Sequence, residues 1–271
     1  MFNFFMLACM GLFAGAFGTV IGAGGGFILV PVLLLLYPDK TPEQITSISL
    51  AVVFFNALSG SIAYRKMKRI DYKSGLLFST ATVPGAILGS FAVGAIPRNV
   101  FDAVFGILLI MIALYLALQP KDEFANAITI PSHYMACKII DAENNEYIYG
   151  YNKYLSITIA AVVGFASSLL GIGGGIIHVP AMVHLLNFPI HIATATSHFV
   201  LVLMSLSGSL VHLFTGSLSH SVMQVVPLSC GAIIGAQLGA RISKKIKGKI
   251  IIQALAIALG LVGIRILFMA F

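Results

Sequence analysis

Charge is the scarcest property of this sequence. Asp, Glu, Lys and Arg together make up 9% of its 271 residues, where a soluble domain carries about 25%. Apolar residues reach 59% and the mean hydropathy is +1.00, which excludes a water-soluble globular domain. Acid is scarcer than base: there are nine Asp and Glu, and none follows Glu146. Tryptophan is absent, so any aromatic belt at a membrane interface must be built from Tyr and Phe. Three cysteines supply neither a disulfide framework nor a metal spacing. Cys9 and Cys230 lie in apolar runs and read as small buried hydrophobes, with Cys137 a linker thiol. No cofactor or metal motif is present.

What remains is a series of apolar runs joined by short polar segments, several reaching the ~20 residues a membrane-spanning helix needs. The net charge of +7 does not point to nucleic acid, because no basic domain stands apart from the apolar runs. The bases sit in joints instead, as RKMKR from Arg65 to Arg69 and KKIKGK from Lys244 to Lys249. That is how membrane proteins mark a cytoplasmic face. The opening run MFNFFMLACMGLFAGAFG lacks a basic start and recurs in related form mid-chain, so it reads as part of the fold and not as a cleaved leader.

An internal duplication organises the chain. Gly22-Ala23-Gly24-Gly25-Gly26 with Val30-Pro31 matches Gly171-Ile172-Gly173-Gly174-Gly175 with Val179-Pro180. Gly15 matches Gly164, Ser49 matches Ser197, and Ser59-Gly60-Ser61 matches Ser207-Gly208-Ser209. Gly85-Ala86-Ile87-Leu88-Gly89 matches Gly231-Ala232-Ile233-Ile234-Gly235. Residues 1–118 and 153–271 are therefore two membrane repeats. The linker between them, 119–152, holds five of the nine acidic residues and alternates as a hairpin would around Glu143-Asn144-Asn145.

Basic residues mark different joints in the two repeats. RKMKR lies between the second and third runs of the first, whereas the second repeat's bases lie one joint later, from Arg241 to Lys249. If basic joints face the cytoplasm, the repeats are inverted relative to one another, as is common in secondary transporters. Inversion needs an odd number of crossings per repeat. The run after the first glycines, about Phe27 to Leu36, is ~15 Å of helix and too short to cross a ~30 Å core. The fold expected is all-α and membrane-integral: each repeat is a V-shaped, re-entrant broken helix pair followed by three spanning helices, giving six crossings. The linker and both basic joints are expected to be cytoplasmic.

The glycine runs carry the functional reading. Irregular backbone at membrane depth is tolerated only where protein or a wet cavity surrounds it. Each run is followed by an apolar helix, so each places a helix N-terminus, with free N–H groups and the positive end of the dipole, near mid-membrane. Such an end suits an anion. Candidate substrate-binding residues are Gly22, Gly24, Gly25 and Gly26, with Gly171, Gly173, Gly174 and Gly175. The competing reading is that the glycines only permit close helix packing. A nucleotide fits poorly, since neither run completes G-x-G-x-x-G or is followed by GK[ST].

Carboxylates for a cation site or a proton relay are missing from the apolar runs. Hydroxyls are plentiful and could donate hydrogen bonds to an oxyanion; Ser49, Thr196 and Ser197 are the candidates among them. Histidine distinguishes the repeats: His178 and His198 stand where the first repeat has Leu29 and Leu50, and both are candidates for lining a pathway. The histidines form no coherent zinc ligand set.

The segments GTVIGAGGGFILVP, GIGGGIIHVPAM and ATATSHFVLVLMSLSGSLVHLFTG resemble the TauE/SafE family of membrane permeases, and the resemblance covers both repeats. Gly22 to Gly26 and Gly171 to Gly175 match its motif residue by residue, while the linker is longer than the family pattern suggests. The resemblance implies a multi-pass transporter of the inner (cell) membrane that moves sulfite, an organosulfonate or a related sulfur oxyanion. The partners expected are thus a small anion and the lipid bilayer, with no nucleic acid, and an oligomer is compatible with the sequence. A passive anion channel or a membrane scaffold subunit is the alternative. An enzyme is disfavoured, because no Ser/His, paired-carboxylate or metal constellation appears.

Overall fold

The structure is a computed structural model that describes residues 4–118, 134–243 and 248–270. Ten α-helices occupy most of it. The first repeat contributes α1 (Phe4–Ile21), α2 (Gly26–Leu36), α3 (Pro42–Lys66), α4 (Tyr72–Ala92) and α5 (Arg98–Leu118). After a two-stranded hairpin, β1 (Met135–Ile140) and β2 (Glu146–Tyr151), the second contributes α6 (Lys153–Leu170), α7 (Gly175–Leu185), α8 (Ile190–Phe214), α9 (Val222–Ser243) and α10 (Gly248–Ala270). Seven of the described helices are long and apolar enough to cross a membrane: α1, α3, α4, α5, α6, α8 and α9. Their outward faces carry large apolar side chains such as Leu88, Phe91, Met111 and Leu114. A belt of that kind is stable against lipid, not water.

Local chemistry sets the helix starts. Thr41 caps α3 in a reciprocal box with Gln44, followed by Pro42 at the first turn. Asp71 caps α4 and Asn152 caps α6 through their side chains. By contrast, α2 and α7 begin at Gly25 and Gly174, which offer no side-chain cap.

The helix pairs exchange among themselves when the repeats are swapped. α1 packs along α9 as α4 packs along α6, and α3 meets α9 as α8 meets α4. α3 crosses its own counterpart α8, and α5 pairs with its counterpart α10. Small residues form the seams, as expected where no water drives helices together. A Cβ on Gly231 or Gly235 of α9 would collide with the Ala8 or Leu12 carbonyl of α1, and one on Gly85 or Gly89 of α4 with Ala161 or Phe165 of α6. This seam corrects the reading of two cysteines. Cys9 and Cys230 are exposed, because glycine and alanine take the inner faces of α1 and α9 and turn the thiols outward.

Contacts at the helix ends fix directions. α9 starts beside Lys40, whose Nζ donates to Ser221 Oγ at 3.3 Å. It ends beside Tyr64, near the end of α3, whose hydroxyl donates to Ser243 Oγ at 3.3 Å. α1 runs alongside α9 in the same direction, and α2 returns to the Lys40 end, where Arg98 donates to Leu34 O at 3.1 Å. α4 starts at the other end, under the hairpin, and α6 runs parallel to it. α7 returns to the hairpin, where Phe188 packs on Tyr149 with ring centroids 4.4 Å apart. The first limbs, α1 and α6, have 18 residues each, about 27 Å. The second limbs have 11 residues, about 16 Å. Six crossings were expected; by length alone α1 and α6 also qualify as spans, because the first limbs are the longer arms.

The hairpin is bolted to the α3–α4 joint. Buried Arg69 bonds Asp141 at 3.2 Å and Glu143 at 3.3 Å, and Ala142 N–H donates to Met67 O. Burial alone would raise the Asp141 pKa, but hydrogen bonds from Asn145, the Glu143 backbone and Arg69 outweigh it and hold the carboxyl at about 2. Tyr149 donates to Asp71 Oδ2 at 2.7 Å and Tyr151 to Ser74 Oγ at 2.8 Å. Burial, then the Asp71 charge, push the Cys137 thiol up to about 11, so it is held as an unreactive thiol.

Candidate functional site

The two glycine tips meet at the centre of the bundle. A Cβ on Gly26 would lie 2.7 Å from the Ile172 carbonyl carbon and 2.8 Å from Gly171 O. In the reciprocal contact, one on Gly175 would lie 2.6 Å from Ala23 Cα. Gly22, Gly24 and Gly25, with Gly171, Gly173 and Gly174, all have φ between +69° and +86°, a region that only glycine enters without strain. Two serines clamp the tips across the repeats: Ser49 Oγ donates to Gly171 O at 2.6 Å, and Ser197 Oγ to Gly22 O at 3.2 Å. Both hydroxyls were candidate ligands, and both are engaged in holding the opposite tip.

The tips leave backbone donors over. Among the described residues, the N–H groups of Gly25, Gly26 and Phe27 at the start of α2 reach no protein acceptor. At the start of α7 the same holds for Gly173, Gly174 and Ile176. These residues are buried, and a buried unpaired donor costs about 1–3 kcal/mol. Val53 stands over Gly24 and Gly173, with Cγ1 3.0 Å and 2.8 Å from where their Cβ atoms would be. Steric demand therefore comes from the opposite tip at Gly26 and Gly175 and from a valine at Gly24 and Gly173.

The remaining candidates scatter around this centre. His198 is fully buried, faces Gly60 and Tyr64, and brings Nε2 to 3.3 Å from Thr19 Oγ1. His178 lies in the first turn of α7, edge-on to Phe78 with centroids 5.5 Å apart, on the side toward the hairpin. Thr196 accepts from Asp71 N–H at 3.0 Å and so belongs to the α3–α4 joint, not to a tip.

Several polar residues at the centre were not singled out from sequence. Thr19 Oγ1 donates to Asn56 Oδ1 at 3.3 Å, while Tyr64 donates to Thr19 O at 2.8 Å. Among the described residues, Asn56 Nδ2 and the hydroxyls of Ser90, Ser167 and Ser168 are buried without partners. A lone amide in an apolar run and a Ser-Ser pair just before the second glycine run were the available signals. Carboxylates stay at the ends: Asp102 pairs with Arg98 at 3.0 Å, and Glu43 accepts from Thr215 Oγ1 at 3.1 Å. At the Lys40 end a cavity of about 410 Å³ opens between residues 38–43 and 93–98.

Over residues 7–266 the chain matches the sequence profile of the family described as "Sulfite exporter TauE/SafE". It is 38% identical over 273 residues to the probable membrane transporter protein YunE of Bacillus subtilis (strain 168), covering 98% of each chain. It is 27% identical over 275 residues to the probable membrane transporter protein MJ0441 of Methanocaldococcus jannaschii, covering 97% of this chain and 94% of the relative. With the probable membrane transporter protein ORF9 of Sinorhizobium sp it shares 26% identity, covering 92% and 88%. No solved structure matches it. A profile match across nearly the whole length, over a bundle with seven span-length apolar helices, places this chain in the TauE/SafE family as a multi-pass membrane transporter protein.

Proposed function

We propose that the protein is a secondary transporter of the cell membrane that carries a small sulfur oxyanion, sulfite or an organosulfonate, bound at mid-membrane by the backbone donors of the two glycine tips. The observation that supports this most is the pairing of two uncapped helix N-termini, α2 and α7, at the bundle centre with N–H groups that meet no acceptor among the described residues. Such donors, with the helix dipoles behind them, attract an anion. The electrostatic setting agrees, since Glu43 and Asp102 remain near the ends and the second repeat has no acid at all. The sulfur chemistry rests on the description of the matched family.

The repeats are inverted across the membrane in this reading, with the basic joints and the hairpin cytoplasmic. Support comes from the counterpart helices α4 and α9. The first ends near Glu43, which would lie 3.3 Å from a Cβ on Gly94, and the second ends at Tyr64. These are opposite ends of α3. The reading is tested by thermal-shift titration of purified protein with sulfite, thiosulfate, sulfoacetate, taurine and acetate. Stabilisation by the sulfur oxyanions but not by acetate is expected. Indifference to all five, or equal stabilisation by acetate, would overturn the substrate class.

A further inference from the structure

We propose that the two tips are not equivalent and that the sulfur oxyanion sits at the second, in a pocket whose donors are the hydroxyls of Ser90, Ser167 and Ser168. This rests on the anion-transport reading above and names the side chains and ligand chemistry that serve it. Ser90 on α4 and Ser168 on α6 converge on Gly208 of α8: a Cβ there would lie 2.9 Å from Ser90 Oγ and 3.6 Å from Ser168 Oγ. One turn earlier on α8, Met204 faces the tip. A Cβ on Gly174 would lie 3.0 Å from Met204 Sδ and 3.1 Å from Ser167 Oγ. The three serines are at most 1% exposed, and none of their hydroxyls has a partner among the described residues. Most other buried serines bond a carbonyl, as Ser79, Ser205 and Ser156 do; Ser61, Ser209 and Ser229 are also unpartnered but stand singly, away from the α7 tip. Three orphan hydroxyls beside the uncapped start of α7 form a donor set in want of an acceptor.

The first tip has no such hydroxyl set; its orphan buried groups among the described residues are Asn56 Nδ2 and His198 Nδ1, both beside Thr19. In the repeat alignment Ser167 corresponds to Gly18, Ser168 to Thr19 and Ser90 to Ala236. Of these only Thr19 carries a hydroxyl, and it is engaged with Asn56 and His198. Serine oxygens also bind alkali cations, but two carbonyls beside this pocket are already engaged. Ser167 O accepts from Gly171 and Ile172, and Gly174 O from Ile177 and His178. The positive end of the α7 dipole further opposes a cation. Three hydroxyls with the Gly174 N–H match a headgroup presenting three oxygens from one sulfur, which sulfite and a sulfonate share.

Isothermal titration with sulfite and, separately, ethanesulfonate tests the assignment on the full-length protein and its variants. Ser90→Ala and Ser168→Ala should each raise Kd roughly 10- to 100-fold, the usual range for a hydrogen bond to a charged group. Ligand-free melting should not fall, because the hydroxyls have no structural partner to lose. Gly208→Ala removes no donor but places a methyl 2.9 Å from both Ser90 Oγ and Leu50 Cδ1; it should weaken binding similarly, with its melting measured alongside. Ser207→Ala, which loses only a bond to Leu203 O, should bind as the parent does. If the parent binds but Ser90→Ala, Ser168→Ala and Gly208→Ala all keep its Kd, the hydroxyls hold only water, and the pocket fails while the anion reading stands. A parent that binds neither probe overturns both, and stabilisation of the parent by Na+ that is lost in Ser168→Ala makes this a cation site instead.

Discussion

Gly25 and Gly174 occupy the same place in the two repeats, yet their surroundings predict different responses to alanine. Each precedes its half-helix with a positive φ, +81° and +77°, so a Cβ at either position incurs about 1–2 kcal/mol of backbone strain. At Gly25 the new methyl also meets rigid backbone, 2.6 Å from Ala14 O and 3.0 Å from its carbonyl carbon. Relieving that overlap means moving α1 away from its own return limb, at a cost of about 1–3 kcal/mol. At Gly174 the neighbours are Met204 Sδ at 3.0 Å and Ser167 Oγ at 3.1 Å, both on side chains that can turn. Gly25→Ala should therefore cost roughly 2–5 kcal/mol and Gly174→Ala roughly 1–2 kcal/mol. At ~2–4 °C per kcal/mol for a larger chain, the difference is several degrees. With no tryptophan to report unfolding, the fraction surviving heating on size-exclusion chromatography in one detergent is the suitable assay. Gly174→Ala should stay folded and lose anion affinity; Gly25→Ala should lose stability first. Equal melting of the two variants, or the reverse order, would refute the steric argument.

Ser49→Ala and Ser197→Ala each free one tip carbonyl and should destabilise by a similar ~1–3 kcal/mol, measured by the same heating assay. Arg69→Ala leaves Asp141 buried beside an empty site, so hydrogen–deuterium exchange should rise across residues 135–151 and remain unchanged in α3 and α8. Because the Asp141 pKa is depressed to about 2, its contribution to docking is complete above about pH 4 and is lost as pH falls through about 2. Protection of the hairpin, as exchange corrected for its intrinsic pH dependence, should therefore be constant from pH 5 to 8. Cysteines at Lys66 and Arg241 should react with an impermeant reagent from one side of the membrane, and a cysteine at Asp39 from the other. Labelling of Lys66→Cys and Arg241→Cys from opposite sides would end the inverted reading.

The architecture was legible because its determinants are local. Hydropathy gave the helices, the doubled glycine runs gave the breaks, and alternation around Glu143-Asn144-Asn145 marks where β1 turns into β2. The site was legible only in part. Positive φ and a missing side chain are written in the sequence as glycine, but what approaches a glycine is not. Gly26 and Gly175 meet the opposite tip and Gly24 and Gly173 meet Val53, most of them contacts between segments far apart in the chain. Hydroxyls were ambiguous for the same reason. Ser49 and Ser197 are drawn to tip carbonyls 122 and 175 residues away in sequence, while Ser168 and Ser90 both face Gly208, from helices α6 and α4 that lie along one another. Thr196 sits beside Ser197 in the chain but on another face of α8, where it serves the α4 cap.

Carrier-mediated movement of a small sulfur oxyanion has a signature in counterflow: proteoliposomes loaded with unlabelled sulfite are diluted into trace radiolabelled sulfite without a membrane potential. A carrier gives transient accumulation of label above equilibrium, saturating with internal sulfite and reduced in Gly174→Ala. Label that only equilibrates would contradict the account in favour of a passive pore, and label that stays outside would remove sulfite from it altogether.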